Sequence, residues 1–269
     1  MIETARELAR HRGLLATLVA RELKGRYRGS VLGFFWSLAQ PLLLLAVYSF
    51  VFGKVFPPRA GAGDQPYPLF LVSGLFPWIW FSAALAEGTV SLVANAGLIR
   101  RAVFPAELLP IVPAVSNLVH LLLALPVVAL AVGLGRAQGW QVGGWGALAL
   151  PAIVALELVL ISGLALALAA LHAHFKDVRD LLTSALTVLF FLTPILYSVA
   201  AVSAAAPKLA WLVRLSPATP FTIAYQQALF AGRFPEPRLW LEMAAIALAA
   251  WALGTWIFGR LRETLVEAV

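Results

Sequence analysis

The sequence contains no cysteine, which removes disulfide frameworks, thiolate metal ligands and thiol nucleophiles from consideration. Charge is scarce as well: 12% of residues are Asp, Glu, Lys or Arg, about half of what an ordinary soluble domain carries. That is too little to cover a water-soluble globule of 269 residues. Histidine is confined to His11, His120, His172 and His174, and only the last two are close in sequence, so no zinc site is expected. Nucleotide and hydrolase motifs are missing. The only Gly-Lys pair, Gly53-Lys54, is followed by valine, so no phosphate-cradling loop ends in Lys-Ser or Lys-Thr. There is no His-Glu-x-x-His and no Gly-x-Ser-x-Gly. These absences argue against a self-contained ATPase or hydrolase. A short apolar core followed by a small-residue cleavage site is also lacking, so no cleavable signal peptide is expected.

Apolar residues make up 61% of the chain, and mean hydropathy is +0.88. They gather in six stretches, 31–52, 68–88, 111–134, 147–171, 181–202 and 240–258. Each is long enough to cross a hydrocarbon core roughly 30 Å thick, and each is expected to be helical because unpaired backbone groups are costly in lipid. Pro41, Pro77, Pro126, Pro151 and Pro194 lie within or near the ends of these stretches and are expected to kink those they interrupt. With the N-terminus inside, 13 of the 20 Lys and Arg residues fall on cytoplasmic segments. The dense cluster before the first stretch is the strongest orientation cue. Both termini are therefore expected in the cytoplasm. The net charge of +7 then reads as loops facing anionic lipid, not as a nucleic-acid surface.

Residues 1–29 are expected to form an amphipathic helix at the membrane surface. Thr4 and Glu7 fit a capping box, Leu8, Leu15, Leu18, Val19 and Leu23 recur at helical spacing, and Arg6, Arg10, Arg12, Arg21 and Lys24 supply interfacial charge. Residues 203–239 are too apolar for a simple connector. Trp211, Phe221, Ile223, Tyr225 and Phe230, broken by Pro207, Pro217 and Pro220, suggest short helices dipping into the outer leaflet.

Intramembrane charge marks ion-coupled transport, but only Glu157 lies near the centre of an apolar stretch. It reads either as a coupling residue or as a carboxyl hydrogen-bonded to a neighbouring helix. His120 lies in the third stretch, with Glu87 and Glu242 near stretch ends. Trp140, Trp145, Trp211 and Trp240 suit interfacial belts. The run Phe76-Pro77-Trp78-Ile79-Trp80-Phe81 falls mid-span instead, with Phe76, Trp80 and Glu87 on one helix face. Together with Trp36, Tyr48, Phe190, Phe191 and Tyr197 it reads either as an aromatic lining suited to sugars or as packing between helices. Residues 91–110 combine a short amphipathic helix, Gly97, the basic pair Arg100-Arg101 and Phe104-Pro105, with Pro105 expected in the first turn of the next helix. The short amphipathic helix suits docking in a groove of a soluble partner, or is simply a basic inner loop.

Several blocks resemble the polysaccharide-export permeases, the membrane subunits of type-2 ABC exporters such as those of O-antigen, capsule and teichoic acid. The first runs from Arg21 to Gly33, continuing to Trp36 and Pro41. The second comprises Gly74 to Phe81, Asn95 to Arg101 and Phe104-Pro105. The third comprises Thr193 to Tyr197 with Ser216-Pro217. The resemblance implies an all-α membrane protein with six transmembrane helices, an N-terminal interfacial helix (1–29) preceding the 30–269 membrane unit, and re-entrant gate helices at about 203–239. It implies a homodimer of permeases with two separate ATPase subunits, which hold ATP and Mg while this chain holds no cofactor. Arg21, Lys24, Arg26 and Arg28 would meet a lipid-linked pyrophosphate, for which arginine is suited by its bidentate donors. Asn95, Gly97, Leu98, Arg100, Arg101 and Phe104, in the coupling segment at about 91–104, would engage the ATPase. Trp36, Tyr48, Phe76, Trp78, Trp80, Phe81, Phe190, Phe191 and Tyr197 would line the glycan path.

The expectation is thus a multi-pass permease in the cytoplasmic (inner) membrane, exporting a lipid-linked polysaccharide. The alternatives are a type-2 exporter of a drug or lipid and a membrane-embedded enzyme of polyprenol-linked sugar metabolism. The mid-span aromatics weigh against the former, and the lack of clustered carboxylates against the latter.

Overall fold

The computed structural model describes residues 2–29, positions 35, 36, 39, 42, 43, 46, 47, 50 and 51, and residues 67–101 and 105–265. All regular secondary structure among them is helical. Two helices open the chain, α1 (Ile2–Arg10) and α2 (Arg12–Tyr27). Then follow α3 (Tyr67–Ala94), the short α4 (Ala96–Arg101), α5 (Leu108–Ala137), and α6 (Leu150–His174) led in by a 3-10 turn at Trp145–Ala149. The remainder is α7 (Val178–Leu192), α8 (Val199–Ala205), a 3-10 segment at Pro207–Leu215, α9 (Thr219–Tyr225) running into a π-helical turn at Gln226–Phe230, α10 (Pro237–Leu261) and a 3-10 turn at Arg262–Thr264.

Among the described residues, four helical segments are long and apolar enough to cross a membrane: Tyr67–Ala94, Leu108–Ala137, Trp145–His174 and Pro237–Thr264. They match the second, third, fourth and sixth apolar stretches. The first, 31–52, lies mostly outside the described residues, and so does Tyr48. Helices α3, α6 and α10 run in one direction and α5 in the other. The ends of α6 and α10 meet where His174 Nε2 lies 2.8 Å from Thr264 Oγ1. The start of α5 joins them through the Glu107–Arg262 ion pair. This is the basic end. At the far end the α5–α6 loop meets the segment before α10, with Gly143 N–H donating to Phe230 O at 3.1 Å and Gly146 N–H to Gly232 O at 3.2 Å.

The main core joins α3, α5, α6, α9 and α10 around Trp80, Phe81, Ile153, Leu160, Phe221, Tyr225 and Met243. Helices α6 and α10 touch backbone to backbone at Gly163 and Gly254, where a Cβ on Gly254 would collide with Gly163 O. Close approach through small residues is the packing mode available when lipid removes the hydrophobic drive between helices. Trp145 and Trp211 are exposed at the far end, and Trp256 is exposed beside Arg260 at the basic end, in keeping with aromatic anchors at two interfaces.

Three expectations change. The N-terminal segment is two helices meeting at His11 instead of one. Helix α1 already runs from Ile2, so Thr4 sits inside it and does not cap it. The fifth stretch is not one helix over 181–202: α7 stops at Leu192, because Thr193 turns extended (φ −74, ψ 135) ahead of Pro194, whose ring disfavours helical geometry in the residue before it. At 15 residues α7 is about 22 Å long, short of a full crossing. Pro105 opens the turn before α5, Leu108 N–H donating to its carbonyl at 3.0 Å, and does not occupy the first turn of α5.

Candidate functional site

At the basic end, α2 lies across the start of α5. Leu18 and Val19 are buried against Leu108 and Val112, with Leu15 and Leu23 packed alongside. The helical spacing of these residues turns one face of α2 to the protein and leaves Arg21 and Lys24 exposed on the other, with Arg28 exposed just past its end. Arg26 points inward. Its Nη2 donates to Glu87 Oε2 of α3 at 2.5 Å and its Nη1 to Asn117 Oδ1 of α5 at 3.1 Å. Asn117 Nδ2 donates to the same Glu87 oxygen at 2.7 Å and to Pro113 O at 2.9 Å. One carboxylate, one amide and one guanidinium therefore tie three helices together. A buried asparagine such as Asn117 is stabilised only because its polar atoms are met. Beside this triad, Arg21 Nη2 donates to Asn95 Oδ1 at 3.3 Å, and Asn95 Nδ2 donates to Ser91 O at 2.9 Å. A cleft of about 180 Å³ between α2, α3 and α5 is lined by Arg21, Glu22, Glu87, Asn95 and Pro113 among others.

Of the four cations expected to meet pyrophosphate, Arg26 is thus engaged inside the protein, while Lys24 and Arg28 stand in solvent with no ion pair among the described residues. Asn95 joins α3 to α4. Leu98 and Ile99 of α4 lean on an apolar cluster at the basic end, and Gly97 is exposed with open space around its Cα. Arg100 and Arg101 close α4; Phe104 lies outside the described residues.

The aromatic residues divide. Phe76, Trp78, Trp80 and Phe81 are buried within the protomer, and Trp80 Nε1 donates to Ala114 O of α5 at 2.9 Å. Trp78 meets Phe190 of α7 with ring centroids 5.8 Å apart, and Phe190 meets Phe191 edge-on at 5.2 Å. Phe191 and Trp36 are exposed. Tyr197 closes the end of α7, its hydroxyl donating to Phe191 O at 2.6 Å and lying 2.9 Å from Leu192 O.

The far end holds a second polar network. Pro194 and Leu196, in the break after α7, have carbonyls that accept from the Gln226 amide at 2.6 Å and the Tyr67 hydroxyl at 3.1 Å. Thr193 Oγ1 lies 2.7 Å from Ser216 Oγ. Deeper in, Tyr225 donates to Glu157 Oε2 at 2.8 Å, with both residues almost wholly buried. Glu157 is therefore hydrogen-bonded to a neighbouring helix, one of its two readings. Asn117, Gln226 and Glu107 were not singled out by the sequence. The available signal was an amide or carboxylate at the edge of an apolar run, which is costly there unless paired.

The ABC-2 type transporter family pattern matches residues 13–230. The O-antigen export system permease protein RfbA of Myxococcus xanthus is 34% identical over 270 residues, covering 100% of both chains. A Klebsiella pneumoniae protein of the same name is 29% identical over 222 residues, 81% of each chain. The polysialic acid transport protein KpsM of Escherichia coli is 29% identical over 85 residues, 30% of this chain and 31% of its own.

Proposed function

The chain belongs to the ABC-2 type transporter family, and from that premise we propose that it is the permease subunit of an ATP-driven exporter carrying a lipid-linked polysaccharide across the cytoplasmic membrane. The observation that carries this reading is full-length similarity to an O-antigen export permease. The chain is a transporter subunit and not an enzyme. Two copies form the pore, and two ATPase subunits beneath it bind ATP and Mg and supply the energy.

Six crossings per copy arise from the four long helices, from residues 31–52, and from α7 extended by its broken continuation toward the far end. Both termini are cytoplasmic, which places the basic end inside, where lysine and arginine concentrate. Residues 1–29 form an interfacial unit ahead of the 30–269 membrane unit, and residues 203–239 form the outer gate. The exposed Arg21, Lys24 and Arg28 receive the pyrophosphate, while Arg26 holds α2 in position. Trp36, Tyr48, Phe191 and Tyr197 face the path, and Phe190 and Trp78 back them. Phe76, Trp80 and Phe81 support the path from the core. The 91–104 segment, through Asn95, Gly97, Leu98, Arg100, Arg101 and Phe104, receives the motion of the ATPase.

The test is depletion of the protein in a cell that makes such a glycan. Lipid-linked polymer is expected to accumulate on the cytoplasmic face. Normal surface glycan with no inner accumulation would overturn the assignment.

A further inference from the structure

Beyond α10 the chain makes one more turn, and that turn packs onto the base of the proposed coupling segment. Arg262 Nη1 sits 2.9 Å from Glu107 Oε1, and the Glu107 side chain is 8% exposed against 60% for Arg262. Glu107 immediately precedes α5, where the helix dipole favours a carboxylate. Its second oxygen, Oε2, is buried and accepts no hydrogen bond among the described residues, so Arg262 is the cation that offsets this buried charge. Leu265 is 1% exposed. It belongs to the same apolar cluster as Leu92, Ala106, Leu109 and Ala173, against which Leu98 and Ile99 of α4 also pack. Thr264 adds its contact to His174 at the end of α6. One turn of chain therefore touches the ends of two long helices and the apolar bed of α4.

We infer that residues 262–265 are a brace for the coupling segment, with Arg262 as a positioning residue that keeps Glu107 and the α4–α5 connection stationary against α6 and α10. The role rests on the permease reading above. A push on α4 moves the long helices only if the bed beneath α4 does not yield. A charged anchor whose carboxylate is enclosed, next to a leucine enclosed in the same bed, resists yielding. Loss of the ion pair releases the anchor, whether or not a buried carboxylate is left uncompensated, and so frees Glu107 and dissipates the push.

The test uses the whole complex of permease and ATPase in proteoliposomes, comparing Arg262→Ala, Arg262→Lys and the neutral pair Arg262→Gln with Glu107→Gln. The neutral pair leaves no stranded charge and covers the case in which Arg262→Ala does not accumulate. Two quantities are read: glycan exported per ATP hydrolysed, and hydrogen exchange of residues 96–109. The alanine and the neutral pair are expected to retain their ATPase and to hydrolyse ATP, while export per ATP falls about fivefold, within the range of mutations that modulate coupling. Exchange in residues 105–109 is expected to rise in the same variants, and lysine to restore both readouts largely. Unchanged export per ATP and unchanged exchange in the alanine and neutral-pair variants would overturn the brace. So would export and hydrolysis that fall in equal proportion. If the wild-type complex exports no glycan, it is the permease reading that fails, and the exchange measurement still decides the brace.

Discussion

Arg26, Glu87 and Asn117 carry the tie between α2 and the membrane helices, and the single atom that couples them is Glu87 Oε2. Arg26→Ala leaves that carboxylate with the asparagine alone. The expected cost is about 1.5–3 kcal/mol for a hydrogen bond to a charged group, toward the lower figure because both side chains are partly solvated. A lower unfolding temperature in detergent is the readout, with Arg26→Lys falling between alanine and wild type. Glu157 and Tyr225 make a sharper pair, being enclosed on all sides. Tyr225→Phe removes the donor from a buried carboxyl and is expected to cost about 1–3 kcal/mol, whereas Glu157→Leu combined with Tyr225→Phe removes both polar groups and is expected to be nearly neutral. Export by that double variant also separates the two readings of Glu157, because a coupling carboxylate could not be replaced by leucine without loss of transport. Sequence alone located Glu157 as the carboxylate nearest a span centre, and its partner was hidden because Tyr225 lies 68 positions away in a segment that reads simply as apolar.

Helices α6 and α10 approach until their backbones touch at Gly163 and Gly254. Gly254→Ala is expected to push them apart and to destabilise the protein by about 1–3 kcal/mol, the usual cost of overpacking, read as a drop in folded yield and thermal stability. Neither glycine stands out in the sequence, because each lies in an apolar run and the contact between them is tertiary. The helices themselves were legible. Tyr67–Ala94, Leu108–Ala137 and Pro237–Leu261 contain the stretches expected for them, since twenty or so apolar residues in succession carry their own signal. The end of α7 was not, although Pro194 was visible: hydropathy continues unbroken past it to residue 202, and a hydropathy run does not register the backbone turn that a proline forces on its predecessor. Residues 203–239 were legible as short helices because Pro207, Pro217 and Pro220 divide them. The donors to the Pro194 and Leu196 carbonyls, Gln226 and Tyr67, were not.

At the scale of the whole molecule, α7 presents an exposed apolar face among the described residues. No residue of α7 is buried, and Leu181, Val188 and Phe191 are among the exposed large apolar side chains. Such a face suits the seam or pore of the proposed homodimer. Val188→Arg is expected to shift the detergent-solubilised protein from dimer toward monomer in light scattering while leaving its helical content intact. In the proposed exporter the energy for transport comes from a second polypeptide, and the purified chain alone is expected to hydrolyse no ATP. The decisive measurement is reconstitution of this permease with its ATPase in liposomes carrying a lipid-linked polysaccharide on the ATPase side. The account predicts that the glycan reaches the opposite leaflet only when the permease, the ATPase and ATP are all present. Movement of the glycan without the permease, or ATP hydrolysis by the assembled complex with no movement at all, would contradict it.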